Sequence, residues 1–312
     1  SVTDRCNLRC RYCMPESGVA DLTHGDVLRY EEMLRVTAAA CRLGIRKVRV
    51  TGGEPLVRRG IVDFIGRLAG LPEKPEITLT TNGLLLAELA EELKAAGLSR
   101  VNISLDTLRP ERFEELTRRS GLEKVLAGIE AAERVGMLPI KLNVIPFADF
   151  NADEIVDFAR LTQDHPWDVR FIEFMPISAD LEYASKDGMP INEVESRLRT
   201  LGELEALPHQ VSSGPAQMYR LPGAKGRVGL IPSVSGHFCG DCNRLRVMAD
   251  GRVRGCLFDN EETDLKTVLR DGSDDQALEE LLVAAACSKP EKHKINGKDF
   301  MTPSRRMHGI GG

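Results

Sequence analysis

The sequence predicts an α/β protein in which an open, partial (β/α)6 barrel of the TIM type is followed by a smaller α+β domain that covers its open side. The first observation is a repeated alternation of short β-rich runs and helical stretches, usually joined by Gly or Pro. Strands separated by helices imply right-handed crossovers and a parallel sheet. The second observation is that only six such strands occur before residue 176, fewer than a closed barrel requires.

The predicted strands follow one another in regular order along the first part of the chain. Their sequences are SVTD, KVRVTGG, EITLTTNG, RVNISLD, IKLNVI and VRFIEFM. Between them, helical patterns occupy residues 31–43, 84–95, 122–136 and 152–164. The first run begins at Ser1 inside a strand pattern, so we expect the N-terminal edge of the barrel to be truncated.

Four of these strands carry a polar face. Parallel strands covered on both sides are normally almost continuously apolar, whereas here every second side chain is polar. The polar positions are Arg49, Thr51, Gly53, Thr78, Thr80, Asn82, Asn102, Ser104, Asp106, Lys141 and Asn143. The pattern could describe a solvated sheet face, but in a barrel this face points inward. It therefore predicts a water-filled cavity.

The character of the chain changes after the sixth strand, and this change divides it into a barrel domain, 1–176, and a smaller domain, 177–312. The second part contains a helical pattern near 191–201 and the β-rich runs QMYRL and RVGLIPSV. A hairpin, RLRVMADGRVRGCLF, is predicted to turn at Asp250-Gly251. Two further helical patterns and a polar tail that ends in Gly311-Gly312 complete the sequence; the helices are at about 263–270 and 274–287.

Composition narrows the class of protein. The hydrophobic content of 42% is typical of a globular core, and no apolar run is long enough to span a membrane. The net charge of −5 argues against a general nucleic-acid binder. In a chain of 312 residues with eight cysteines, the clustered ones indicate metal or redox chemistry in a reducing compartment, so we expect a cytoplasmic protein.

Three cysteines, Cys6, Cys10 and Cys13, lie within the run RCNLRCRYCMP. A disulfide would leave one of them unexplained, and structural zinc usually needs four ligands, with no fourth nearby. Three thiolates on one short loop suit three irons of a [4Fe–4S] cluster, which normally takes four cysteines. Such a cluster keeps one iron free to bind another molecule.

A second set of three cysteines lies far downstream, at Cys239, Cys242 and Cys256. The predicted hairpin returns the third cysteine toward the first two. A second open cluster is one interpretation, and zinc with His237 as fourth ligand is the other. Arg244 and Arg246 lie between these cysteines on one strand face, where they could bind a phosphate group or simply face solvent.

The spacing Cys-x3-Cys-x2-Cys, with Tyr12 just before the third cysteine, resembles the signature of radical S-adenosylmethionine (SAM) enzymes. The turn Gly52-Gly53-Glu54-Pro55 resembles the turn with which that family binds the amino group of SAM. The resemblance implies that the free iron binds SAM and that its cleavage yields a 5′-deoxyadenosyl radical. It also implies SAM contacts at Tyr12, Gly53, Ser104 and Met175.

The whole chain resembles one family, the GTP 3′,8-cyclases of molybdenum cofactor biosynthesis. The matching runs, in order, are SVTDRCNLRCRYCMP, RVTGGEPLVRR, LTTNGLLL, VNISLDTL, VRFIEFMP, FCGDCNRLRV and RGCLF. The resemblance implies two [4Fe–4S] clusters, the second of which binds the purine of GTP. It implies GTP contacts at Arg49, Thr80, Lys141, Arg244, Leu245 and Arg246. Further candidates are Asn82, Arg170, Gly311 and Gly312.

The resemblance also implies a reaction and partners. Abstraction of hydrogen from C3′ of GTP would lead to (8S)-3′,8-cyclo-7,8-dihydroguanosine 5′-triphosphate. The expected partners are an electron donor and the next enzyme of the pathway, which forms the pyranopterin; we expect a monomer or homodimer without membrane or nucleic-acid partners. The family has an Arg before the first strand that helps to hold the triphosphate, and we expect the sequence as given to lack it.

Two other functions remain compatible with the residues. A radical SAM maturase that acts on a peptide also carries auxiliary cluster cysteines, although it needs no row of phosphate-binding arginines. A scaffold with structural zinc would use the same cysteines without catalysis.

Overall fold

The computed structural model describes residues 1–18, 22–177, 187–208, 214–236, 238–293, 295 and 302–311. An eight-stranded sheet forms its centre, in the order β1-β2-β3-β4-β5-β8-β7-β6. The strands are β1 (Lys47–Val50), β2 (Glu76–Thr81), β3 (Arg100–Ser104), β4 (Lys141–Val144), β5 (Asp168–Ile172), β6 (Glu205–Ala206), β7 (Gln217–Arg220) and β8 (Arg227–Ile231). The order does not close on itself, so the barrel is open, as the sequence predicts.

The parallel part of the sheet has six strands, but one of them is not the strand expected. Strands β1 to β5 pair in parallel, and β8 pairs in parallel with β5. The run SVTD is extended but forms no regular strand, because it pairs mainly with the turn that follows β1. The Val2 N–H donates to Thr51 O (2.6 Å), and the Gly53 N–H donates to Thr3 O (2.7 Å). The C-terminal part therefore contributes the sixth parallel strand and extends the barrel sheet.

Ten helices lie among the described residues, and those that join the parallel strands cover one face of the sheet. The ten helices are α1 (Tyr30–Arg42), α2 (Ile61–Ala69), α3 (Leu86–Ala95), α4 (Pro110–Thr117), α5 (Leu122–Arg134), α6 (Ile155–Asp164), α7 (Ile191–Leu198), α8 (Lys266–Arg270), α9 (Asp275–Cys287) and α10 (Met307–Ile310). The helical patterns in the sequence did not predict α10, the four-residue helix near the C-terminus, nor α2 and α4. Both are short and have a clear start signal: Gly60 adopts a φ of 77° before α2, and Pro110 is the first residue of α4.

The apolar residues of the strands pack against these helices. One core contains four strand residues that are each 0% exposed: Leu79, Ile103, Leu142 and Phe171. Because side chains alternate along a strand, the polar residues between them lie on the opposite face. Truncating one of these buried Leu or Phe side chains to Ala is expected to cost about 2–5 kcal/mol.

The C-terminal part adds a three-stranded antiparallel sheet, β11-β10-β9. Its strands are β9 (Arg246–Val247), β10 (Arg252–Arg254) and β11 (Thr263–Asp264). The hairpin between β9 and β10 turns at Asp250-Gly251, as predicted, with Gly251 at a φ of 86°. The predicted helix 263–270 begins only at Lys266, because the first residues pair with β10. No helix among the described residues is long and apolar enough to cross a membrane.

Candidate active site

The first cysteine loop is held by the backbone of its neighbours. The Arg9 and Arg11 N–H groups donate to Thr117 O (2.9 Å) and Leu116 O (3.0 Å) at the end of α4. The side chain of Arg118 donates to Arg9 O (2.8 Å). Within the loop, the Cys13 N–H donates to Cys10 O (2.9 Å), which closes a tight turn. The loop shape therefore does not depend on the thiols.

The three thiols of this loop suit a metal cluster. They are partly accessible to solvent, yet surrounding protein atoms desolvate the sulfurs. Burial and the neighbouring thiols raise the pKa of Cys13 to about 12 and that of Cys10 well above its ordinary value. Burial also raises the pKa of Cys6. Thiols in such a setting become thiolates when a metal cation neutralises them.

The spacing of the thiols bears on the kind of metal group. Among the described residues, no three His, Cys, Asp or Glu side chains converge closely enough to hold one metal ion. A [4Fe–4S] cluster bonds each thiolate to a different iron, so its sulfurs need not meet at one point. Three thiols on one short loop are the donor set that fits such a cluster.

The glycine turn after β1 requires its glycines for contact with the chain itself. A Cβ on Gly53 would lie 2.3 Å from Arg5 O, and one on Gly52 would lie 2.6 Å from Thr3 O. The backbone that comes so close to these glycines belongs to the segment that leads into the first cysteine. The turn therefore fixes where the cysteine loop begins.

Glu54 connects this turn to the end of β2. Its carboxylate accepts hydrogen bonds from Thr81 Oγ1 (2.8 Å), the Asn82 N–H (2.7 Å) and the Leu56 N–H (3.0 Å). Burial raises the pKa of Glu54 to about 7. The Asn82 side chain donates to Asn7 Oδ1 (2.7 Å) and lies 3.9 Å from Cys6 Sγ. Asn82 therefore contacts the cysteine loop.

Tyr12 is anchored from the other side of the loop. Its hydroxyl donates to Asp106 Oδ2 (2.8 Å), and Asp106 also accepts from the Ile145 N–H (2.7 Å). Burial raises the pKa of Asp106 to about 6. The Tyr12 ring packs at 5.9 Å from the ring of Phe147. Ser104 is exposed at the end of β3, two residues before Asp106.

The second cysteine set lies beside the arginines predicted to accompany it. Cys239 and Cys242 form a short turn in which the Cys242 N–H donates to Cys239 O (3.1 Å). Burial alone would raise the pKa of Cys242, but the charge of Arg244 and its Nε hydrogen bond to the sulfur (3.4 Å) lower it to about 7. Cys256 packs against a small apolar core, as does Met175. His237, the zinc ligand considered above, lies outside the described residues.

Positive charges from several strands converge on the polar face of the barrel. They are Arg49 of β1, Lys141 of β4, Arg170 of β5 and the hairpin residues Arg244 and Arg246. Burial lowers the pKa of Arg246 to about 9, and repulsion from Arg244 adds to this. Burial and the charge of Arg49 lower the pKa of Arg170 to about 9. Protein atoms crowd the guanidinium group of Arg49 and, with the charge of Arg244, lower its pKa to about 10, although part of the side chain stays exposed to solvent.

Few carboxylates among the described residues offset this charge. Asp168 lies beside Lys141 but accepts hydrogen bonds from Arg227, through its Nε at 2.7 Å and one terminal nitrogen at 2.8 Å. Glu76 lies near Arg49 but contacts Lys47 (3.3 Å) and Arg100 (2.7 Å). The cavity wall is therefore short of negative charge and suits a polyanionic ligand.

Neutral polar groups hold this wall in place. Arg170 donates to Asn143 Oδ1 (2.6 Å) and Asn102 Oδ1 (3.2 Å). Asn102 in turn donates to Thr80 Oγ1 (3.4 Å). This network joins β2 to β5 and confirms that the alternate polar residues seen in the sequence lie on one face of the sheet. Leu245 is half-buried between the two hairpin arginines.

The C-terminal segment reaches into the same region. A backbone hydrogen bond joins His308 to the Cys13 thiol, while Met307 packs on the apolar core that Cys256 also contacts. A Cβ on Gly311 would lie 2.9 Å from Thr51 Cγ2. Gly312 lies outside the described residues. The segment thus contacts both cysteine regions.

Three buried carboxylates shape the site in roles that the sequence pattern did not predict. Glu54 and Asp106 orient the first loop, and Glu173, 4% exposed at the end of β5, organises the approach to the second. Glu173 accepts from the Val234 N–H (2.7 Å), the Ser235 N–H (2.8 Å) and the Ile191 N–H (3.1 Å). The one sequence signal that could have revealed their roles is the position of an acidic residue at or near the end of a strand.

Comparison with known proteins identifies the family. A model of the radical SAM superfamily matches residues 1–162, and a model of Molybdenum Cofactor Synthesis C matches residues 167–295. The chain is 48% identical to a GTP 3′,8-cyclase of Syntrophomonas wolfei, covering 100% of this chain and 96% of the relative. It is 46% identical to a GTP 3′,8-cyclase of Geobacter sulfurreducens, covering 100% and 95%.

Solved structures agree on the fold. SuiB of Streptococcus suis bound to S-adenosylmethionine aligns with a TM-score of 0.62 at 14% identity, covering 88% of this chain and 64% of SuiB. The protein anSMEcpe with bound AdoMet aligns with a TM-score of 0.58 at 14% identity, covering 98% and 88%. With matches along its full length, the chain belongs to the GTP 3′,8-cyclase family of the radical SAM superfamily.

Proposed function

We propose that this chain converts GTP to (8S)-3′,8-cyclo-7,8-dihydroguanosine 5′-triphosphate, an early step of molybdenum cofactor biosynthesis. Membership of the radical SAM superfamily implies one [4Fe–4S] cluster and SAM. We further propose that Cys6, Cys10 and Cys13 hold that cluster in a barrel domain, 1–176. A second [4Fe–4S] cluster in the domain 177–312 is held by Cys239, Cys242 and Cys256.

The convergence of five cations on the polar face of the barrel is the observation that carries the proposal. Each of the desolvated guanidinium groups is costly without an anion, and the nearby carboxylates already have cationic partners. A triphosphate supplies the missing negative charge and matches the forked geometry of Arg. The residues assigned to GTP are Arg49, Thr80, Lys141, Arg170, Arg244, Leu245 and Arg246.

The cluster and SAM, when bound, supply the radical chemistry: hydrogen leaves C3′ of GTP, C3′ bonds to C8 of guanine, and one electron and one proton complete the product. The chain itself positions the reactants. Tyr12, Gly53, Ser104 and Met175 would contact SAM, and the five cations would hold the triphosphate so that C3′ faces SAM. In favourable cases such positioning removes about 7–11 kcal/mol of a barrier.

Asn82 and the tail complete the assignment. Because the Asn82 side chain contacts Asn7 and lies near Cys6, we assign it to the cysteine loop. Gly311 lies against Thr51 at the end of β1, so the tip Gly311-Gly312 is assigned a place beside the substrate. The electron comes from a separate donor, and the next enzyme of the pathway receives the product; the chain works as a monomer or homodimer.

Anaerobic reconstitution and turnover test the proposal. The protein should bind about eight irons per chain, consistent with two four-iron clusters. With GTP, SAM and a reductant it should form 5′-deoxyadenosine and the cyclised nucleotide. Zinc without iron would support a scaffold instead. Iron with SAM cleavage, but without consumption of GTP, would support a maturase that acts on a peptide.

A further inference from the structure

Charged residues at the base of the C-terminal segment form a cluster that the reaction itself does not explain. Arg254 is 0% exposed, and its Nε donates to Glu262 Oε1 (2.7 Å). Glu262 is also held by Arg305, whose Nε and terminal nitrogen donate to the two carboxylate oxygens at 2.7 and 2.8 Å. This forked contact fixes both the distance and the orientation of the Arg305 side chain.

A second contact ties Arg305 to the hairpin. One of its terminal nitrogens lies 2.7 Å from Asp250 Oδ2, and Asp250 stands at the turn between β9 and β10. Strand β9 begins with Arg246, which we assign to GTP. One side chain of the tail is therefore bonded to the same hairpin that presents a substrate arginine. The neighbouring Ser304 adds a backbone contact, because its N–H donates to Asn260 Oδ1 (2.9 Å).

The tail beyond this cluster is short, and it is held by the backbone hydrogen bond of His308 to Cys13 and by the packing of Met307 and Ile310. Helix α10 is only four residues long, and isolated helices of that length are not stable in water. Ile310 is 1% exposed in the small apolar core, but Gly311 carries no side chain. The position of the tip therefore depends on these contacts and on how the segment is anchored before it enters the site.

We infer that Arg305, held by Glu262 and Asp250, is a positioning residue that sets where the C-terminal tip lies relative to the substrate. Glu262 serves both the buried Arg254 and the tail, so hairpin and tail are joined through one carboxylate. The inference rests on the proposed function. It adds to that function a group outside the cavity on which productive cyclisation depends.

The variant Arg305→Gln tests the inference, because it removes the tail side of the cluster and leaves Arg254 paired with Glu262. Trypsin can still cleave after Arg306, and mass spectrometry can follow release of the segment 307–312. Loss of a charged hydrogen bond predicts release about tenfold faster or more. Iron content and SAM cleavage should be retained, whereas cyclised product per 5′-deoxyadenosine should fall. We expect the kcat for cyclisation to fall without a matching rise in the KM for GTP.

Arg35→Gln is the matched control. Arg35 donates to Asp275 Oδ1 (2.6 Å) and Ser273 O (2.5 Å), an arginine contact between α1 and the start of α9, outside the site. The Arg35→Gln variant should leave unchanged both the rate of tail release and the ratio of cyclised product to 5′-deoxyadenosine. If Arg305→Gln fails to fold, Asp250→Asn gives a second test, since it removes only the turn contact. That variant should change both readouts in the same direction.

A deletion of Gly311-Gly312 separates positioning from general damage. If Arg305 acts through the tip, Arg305→Gln should lower the product ratio little further in the truncated chain. An equal loss in both backgrounds would overturn the inference, as would faster release with an unchanged product ratio. If the unaltered chain makes no cyclised product, the proposed function fails, and the role of Arg305 in cyclisation fails with it. Turnover of the unaltered chain distinguishes these failures.

Discussion

Lys141 makes the affinity for GTP depend on pH. The side chain is 6% exposed, and burial together with the charges of Arg170 and Arg100 lowers its pKa from 10.5 to about 7. Lys47 adds repulsion, while the carboxylate of Asp168 opposes it. The ligand-free protein should therefore lose the Lys141 proton near pH 7, and a bound triphosphate should restore it.

The size and sign of the effect follow from linkage. The difference between 10.5 and about 7 makes the charged form of Lys141 less stable by a few kcal/mol, at roughly 1.4 kcal/mol per pH unit. Above pH 7, GTP binding should take up a proton, and affinity should fall by up to about tenfold per pH unit. The free energy of unfolding of the ligand-free protein should change in the opposite direction and rise with pH. The unfolded chain binds more protons between about 7 and 10.5, so this contribution to stability rises with pH.

Isothermal titration calorimetry measures both the affinity and the proton uptake. Titrations from about pH 7 to 8.5, in buffers of different ionisation enthalpy, should show a proton taken up by the unaltered protein and a falling affinity. Lys141→Met keeps the length of the chain without the charge and should remove most of this pH dependence. Equal proton uptake by the two proteins, or none by either, would refute the reasoning.

Three further substitutions test separate parts of the site. Cys242→Ala should lower the iron content from about eight to about four per chain and abolish cyclisation. SAM cleavage should persist, because the first cysteine loop is held by α4. Loss of SAM cleavage would contradict this division between the two clusters. Arg246→Ala should narrow the preference for GTP over guanosine by roughly 1.5–3 kcal/mol in competition binding, and an unchanged preference would place this residue outside the phosphate site. Glu173→Gln should make the second cluster more labile to chelators, because the loop before Cys239 loses its acceptor. Glu154→Gln, a change at another buried carboxylate, should lower the melting temperature without this lability.

The sequence predicted those features that depend on local spacing. The three cysteines of the first loop lie within one short segment, so their meeting needs no knowledge of the fold. The polar face of the sheet likewise follows from the alternation of side chains along each strand. The contact between Arg170 and Asn102 confirms that these polar residues share one face. The hairpin turn at Asp250-Gly251 carries its own turn residues.

Features that depend on long-range packing could not be predicted. The sixth parallel strand is β8, which pairs with β5 only after an intervening antiparallel pair, β6 and β7. The carboxylates of Glu173 and Glu262 look like ordinary surface acids in the sequence, because their partners come from segments brought near by the fold. The glycines of the turn after β1 were predicted to matter, but their contact with Thr3 and Arg5 depends on the path of the N-terminal segment.

The central claim is that this chain brings C3′ of GTP to the radical derived from SAM. The most direct measurement is an anaerobic reaction with GTP deuterated at C3′, followed by mass spectrometry of both products. We predict that deuterium appears in 5′-deoxyadenosine and that the cyclised nucleotide has lost it from C3′. Formation of 5′-deoxyadenosine without deuterium, with GTP recovered unchanged, would contradict the account.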